Sequence, residues 1–131
     1  MLKLVRSIVK KTMQTVGAGN INSARVLLKI FFQEIRSASV NLKELSAKKE
    51  YKNLAMVAHK MAGACAYFGA GHLYLQLLKI ESLAKKPVVG EDFFAILEKT
   101  AQLLDEAGRL ERSVFELLDR RVDSLKKVTK K

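Results

Sequence analysis

The sequence contains a single cysteine, Cys65, among 131 residues, so it can form neither an intrachain disulfide nor a cysteine-based zinc site. That usage fits a reducing compartment. Proline occurs once, at Pro87, and glycine seven times. So few breakers over this length favour long helices over a strand-rich fold with frequent tight turns. No apolar run is long enough to span a bilayer, and the richest, at 26–32, is interrupted by Lys29. Acids are scarce as well: 13 Asp and Glu stand against 24 Lys and Arg, a formal charge of +11. Such an excess draws a protein toward acidic protein faces, nucleic acid or membrane surfaces. Here the basic residues are spread along the chain, which reads first as a solvated surface.

Other absences narrow the chemistry. Gly17-Ala18-Gly19 is not followed by the Gly-Lys-Ser/Thr of a phosphate loop, so ATP binding and kinase activity are not expected. His59 and His72 are the two histidines, and no Glu-x-x-His or Cys–His spacing accompanies them. No metal and no resident cofactor are therefore expected. No Ser-His-Asp grouping is visible. Tyr51, Tyr67 and Tyr74 form no evident stacking platform for nucleic acid. Cys65 reads as a small core hydrophobe.

What the chain does have is helix-forming material. Apolar residues make up 49%, enough for one core in one domain spanning 1–131. Ala, Leu, Lys and Glu dominate. Residues 2–16 carry Lys3, Arg6, Lys10 and Lys11, no acid, and apolar residues Leu2, Val5, Ile8, Val9, Met13 and Val16 at helical spacing. Basic residues break any secretory h-region. The pattern is compatible with a mitochondrial presequence or an interfacial helix, but the first expectation is an amphipathic helix laid against a bundle. A loop with Gly17, Gly19 and Asn20 follows, with Asn22 or Ser23 as candidate cap. A second helix is expected over about 23–46, with the stripe Leu27, Ile30, Phe31, Ile35, Ala38, Leu42 and Leu45. A third spans about 50–68, ended by Gly69, Ala70 and Gly71. A fourth, about 72–85, shows Leu73, Leu77, Ile80 and Ala84 on one face. A fifth begins near Gly90, with Glu91 and Asp92 in its first turn. Its stripe is Phe94, Leu97, Ala101, Leu104, Leu110, Val114 and Leu118, with Gly108 as a soft point. The tail, 122–131, is basic, and its end is expected to fray. The fold expected is all-α: an antiparallel up-down four-helix bundle, core 22–120, with an additional N-terminal helix.

The third helix carries the candidate chemistry. At ~100° per residue, Leu54, Val57, Met61, Ala64 and Phe68 fall opposite His59, with Cys65 near them, as a core face. Ala55, Ala62, Gly63 and Ala66 surround the histidine, Lys52 and Lys60 flank it, and Met56 lies between the lysines. A glycine inside a helix costs roughly 1 kcal/mol relative to Ala. One reading is that Gly63 clears space beside the imidazole for a bulky anionic group, with lysines to receive it. The plainer reading is a surface histidine beside small residues that permit close helix packing.

Residues 58–70, Ala-His-Lys-Met-Ala-Gly-Ala-Cys-Ala-Tyr-Phe-Gly-Ala, resemble the signature of the histidine-phosphotransfer (HPt) family: Ala-His, then Gly, small residues, and Gly-Ala about ten positions on. His59, Gly63, Gly69 and Ala70 fit it. Leu73, Leu77, Leu78 and Glu81 resemble the family's next helix, and the resemblance extends over about 22–120. It is similar to the HPt modules at the C-terminal ends of bacterial hybrid sensor kinases, but with no kinase or receiver domain attached, which implies a free-standing shuttle or a separately made module. One departure stands out. The family often has Lys three residues after the histidine, near the phosphoryl group, and here that residue is Ala62.

The resemblance implies a cytoplasmic, monomeric phosphocarrier rather than an enzyme. His59 would accept a phosphoryl group from a receiver aspartate and pass it to another receiver, with Mg²⁺ on the receiver. Lys60, Gly63 and Lys52 would neighbour the phosphoryl group. Ala55, Met56, Ala62, Ala66 and Ala70 would dock the receiver. Partners would be response-regulator receiver domains and a hybrid sensor kinase; nucleic acid and membrane are not expected. Two rivals remain: a helical module that binds receiver or kinase domains without carrying phosphate, and a basic helical protein binding nucleic acid or anionic membrane through Lys3, Arg6, Lys10, Lys11 and the C-terminal lysines.

Overall fold

Apolar residues at three- and four-residue spacing emerge as six α-helices in the computed structural model, which describes residues 1–16 and 20–129, apart from the side chains at 16 and 126–129. They are α1 (Leu2–Val16), α2 (Ile21–Ala47), α3 (Tyr51–Tyr67), α4 (Gly71–Ala84), α5 (Glu91–Gly108) and α6 (Glu111–Thr129). No strand occurs among the described residues. The expected loop glycines Gly17 and Gly19, and Lys130 and Lys131 of the tail, lie outside them.

Helices α2, α3, α4 and α5 form a ring in which each packs on the next and α5 returns to α2; the α3–α4 pairing is the most extensive. The core is built from Phe31, Phe32, Ile35 and Leu42 of α2, Leu54 and Cys65 of α3, Leu77 and Ile80 of α4, and Phe93 and Leu104 of α5. Each large apolar side chain sealed this way stabilises the fold by roughly 1.5–3 kcal/mol before entropy is counted. Phe31 and Phe68 stack at 4.5 Å between centroids, tying the end of α3 to α2. Burial also pushes the Cys65 thiol up to about 12, so it packs as a neutral hydrophobe.

Helix α1 buries Val5, Ile8, Val9 and Thr12 and leaves Lys3, Arg6, Lys10 and Lys11 exposed. It packs on α6 and α2. Its apolar face is thus spent inside the protein, as expected of a helix laid on a bundle, although Leu2 stays exposed.

Several expectations need correction. The fifth segment is two helices, broken at 109–110. Arg36 of α2 packs against this point. A Cβ on Gly108 would meet Arg36 Cγ at 2.8 Å, so only glycine lets the two helices approach so closely there. Arg36 Nη1 donates to the Gly108 carbonyl at 3.4 Å and to Glu111 Oε1 at 2.7 Å. The helix tightens as Arg109 N–H turns to the Glu106 carbonyl and Leu110 N–H to that of Ala107. Beyond the break α6 continues along α2, where Arg25 pairs with Asp119. Phe93, not Phe94, is the buried one of two adjacent phenylalanines. In α2, Leu27 and Ile30 are exposed and Leu28 and Phe32 take their places in the core. The cap of α2 falls on Asn20 rather than Asn22 or Ser23.

Two turns fix the ring. Helix α3 ends with Gly69 at φ 80°. Ala70 N–H donates to the Cys65 carbonyl at 2.8 Å and Gly69 N–H to that of Ala66 at 3.3 Å, a Schellman closure. Ser7 of α1 donates to the Gly69 carbonyl at 2.6 Å. The same closure ends α2, with Lys49 in the left-handed conformation at φ 58°.

Candidate functional site

The α3–α4 turn reverses the chain about Ala70, so residues equally far from it in sequence face each other. His59 lies as far before Ala70 as Glu81 lies after it, and the two side chains meet. His59 Nδ1 sits 3.0 and 3.1 Å from the two Glu81 oxygens. Lys85, which caps the C-terminal end of α4 four residues on, donates from Nζ to Glu81 Oε2 at 2.8 Å. The Lys85 ammonium, and then the His59 ring, hold the Glu81 carboxyl below its ordinary value. Glu81 is therefore ionised at neutral pH and can only accept hydrogen bonds. The shared proton belongs to Nδ1, and a neutral ring keeps its lone pair on Nε2.

The histidine side chain is 72% exposed while that of Glu81 is 14% exposed. One edge of the ring is thus anchored in the helix pair and the other is presented to solvent. The ring borders an open groove of about 730 Å³ lined by Lys52, Ala55, Met56, His59, Lys60, Glu81, Ala84 and Lys85. Three lysines against one carboxylate make it favourable to an anion. No group of three or more His, Cys, Asp or Glu that could hold a metal ion occurs among the described residues.

The structure brings His59, Lys52, Lys60, Met56 and Ala55 to this groove. Gly63 and Ala66 are exposed on the same helix, and nothing lies within 4 Å of a Cβ placed on Gly63. The expected docking patch must nevertheless be corrected. Ala62 is 1% exposed, Ala55 2%, and Ala70 is fully buried, so these three pack in the core and offer a partner little surface, Ala55 only as part of the groove lining. The reason is the close approach of α4, which covers the side of α3 next to His59. The core face of α3 is accordingly Leu54, Ala55, Ala58, Met61, Ala62 and Cys65, while Val57 and Ala64 are only half-buried. Met56, 65% exposed, supplies the apolar contact at the rim.

Glu81 and Lys85 were not singled out as site residues from sequence, although Glu81 entered the resemblance. Their signal lies in the symmetry of the hairpin about Ala70 and in the four-residue Glu–Lys spacing on α4.

The site thus presents an anchored, exposed histidine beside a basic groove on a helical bundle. A family model for the Hpt domain matches residues 26–126. The chain belongs to the Hpt domain family, whose members are phosphocarriers rather than kinases and interact with receiver and kinase domains. No curated protein and no solved structure matches the sequence. The match begins within α2, so α1 precedes it. No helix among the described residues is long and apolar enough to cross a membrane.

Proposed function

We propose that this protein is a phosphorelay carrier that takes a phosphoryl group from a receiver phospho-aspartate onto Nε2 of His59 and gives it to a second receiver aspartate. The observation that carries this reading is the His59–Glu81 pair, which commits the proton to Nδ1 and leaves the Nε2 lone pair at the mouth of a basic groove. In the forward step Nε2 attacks phosphorus in line. The N–P bond forms as the aspartyl O–P bond breaks, and the receiver regains its carboxylate. The ring, still protonated at Nδ1, becomes cationic, and Glu81 stabilises that charge. Transfer to the second receiver reverses these steps.

The receiver brings Mg²⁺ and most of the charge stabilisation. The carrier contributes a positioned nucleophile and a docking surface. Lys52, Lys60 and Lys85 offset the incoming charge, Met56 gives the receiver an apolar contact, and Gly63 and Ala66 leave it room. The formal charge of +11 favours encounter with acidic receiver surfaces. A hybrid sensor kinase with its response regulator, in a cytoplasm, is the setting this chemistry fits, with the carrier acting as a monomer.

The test is transfer of radiolabel from a phosphorylated receiver to the wild type and to His59→Gln. Acid-labile, alkali-stable label on the wild type alone is expected. Receiver binding without label would favour the non-phosphorylated docking module, and its loss together with label would leave the polyanion reading.

A further inference from the structure

We infer that Lys85, from α4, is the cation that binds the phosphoryl group at His59, in place of the lysine that the HPt pattern sets at the position of Ala62. The inference rests on His59 being the phosphoryl acceptor.

Position 62 is not where a cation is needed in this structure. Ala62 is buried against the bundle and does not line the groove. The groove extends instead toward the start of α3, over Ala55 and beside Lys52 and Met56. Lys85 reaches that space from the neighbouring helix, with Ala84 and Ala55 as small neighbours that keep it open. Its ammonium lies 2.8 Å from Glu81 Oε2, and that oxygen 3.1 Å from Nδ1, so Nζ is held within about 6 Å of the ring. The side chain is 64% exposed on a flexible four-carbon stem. It can therefore swing from the carboxylate to phosphoryl oxygens on Nε2 without backbone movement.

The exchange is favoured because the cationic ring then meets the Glu81 charge and frees Lys85 for the phosphoryl oxygens, which carry about −1.5 to −2. Glu81 is not abandoned by the exchange, since it keeps the Nδ1–H bond and gains a cationic ring opposite it. Lys60 is less well placed. It also borders the groove between α2 and α3, where Glu34 supplies a competing carboxylate.

The test uses phosphoramidate, a small donor that requires no receiver. Nε2 displaces ammonia from phosphorus, and the initial rate of phospho-His59 formation is followed by phosphorus NMR at sub-saturating donor. Lys85→Gln is expected to lower the rate about fivefold, Lys85→Arg to restore most of it, and Lys52→Gln and Lys60→Gln to lower it by a smaller factor than Lys85→Gln does. The loss should persist when Lys85→Gln is made in a Glu81→Gln background, because Lys85 acts on the phosphoryl group itself. Disappearance of the effect in that background would overturn the inference and make Lys85 a positioning residue for Glu81. A wild type labelled on His59 with Lys85→Gln equally fast would overturn this inference alone. A wild type that takes no label would overturn it together with the proposed function.

Discussion

Helix α3 and the turn that ends it carry two glycines with opposite surroundings. At Gly69 the backbone is left-handed, and an added Cβ would lie 2.7 Å from Lys11 Cβ and 2.9 Å from the Ser7 carbonyl oxygen. At Gly63 the backbone is ordinary helix and an added Cβ would meet nothing within 4 Å. The first glycine is required by the protein's own packing, where α1 presses on the α3–α4 turn. The second has no internal reason to be glycine and lies on the exposed side of α3 with His59. The difference separates a residue the fold needs from a residue that only an incoming partner would need.

The largest effect expected from breaking this comparison is Gly69→Ala, which combines an unfavourable φ with a clash against α1. It should destabilise the protein by roughly 2–4 kcal/mol, read from the urea midpoint. Unchanged stability would mean that α1 does not seat on the turn as described. Next comes Glu81→Gln, which removes the charge that orients and supports the imidazole. Transfer from a receiver should slow about tenfold with little change in folding, and single-turnover labelling measures it. Gly63→Ala sharpens the contrast in the other direction. It should stabilise the free protein by about 0.5–1 kcal/mol while slowing labelling by a receiver more than labelling by phosphoramidate. If both donors slow equally, the glycine serves the histidine and not the docked partner.

The smallest effect is on pH dependence. Because Lys85 and His59 lower the Glu81 pKa in the folded state, their contribution to stability is present above about 4.5, the ordinary glutamate value, and is lost as pH falls through the folded value. Between pH 5 and 3 the wild type should therefore lose more stability than Glu81→Gln. Parallel loss in the two proteins would argue against the ion-pair cluster.

The same contrast explains what could be read in the sequence. The stripe of α4 and the buried Val5, Ile8 and Val9 of α1 were legible because large apolar residues recur at helical spacing among polar ones. In α3 the pattern misled. Its core face includes Ala55, Ala58 and Ala62, which carry little hydrophobic signal, so the large apolar residues alone set that face too far from His59 and leave Ala55 and Ala62 reading as docking surface. The break after Gly108 was only half legible, since the Arg36 side chain packed against it comes from a helix distant in sequence. The choice between Phe93 and Phe94 turns on helix register, which adjacent phenylalanines do not reveal. The exposure of His59 was legible from the apolar face opposite it. Glu81 and Lys85 become site residues only when the hairpin folds about Ala70 and sets α4 against α3.

The account turns on which imidazole nitrogen is free. Proton–nitrogen correlation spectra of the His59 ring, recorded near pH 8 and again after phosphorylation, test this most directly. The predicted result is the Nδ1–H tautomer before reaction and a phosphorus-coupled Nε2 afterwards, with the Nδ1 preference weakened in Glu81→Gln. Phosphorus on Nδ1, or an Nε2–H tautomer in the unmodified protein, would contradict it.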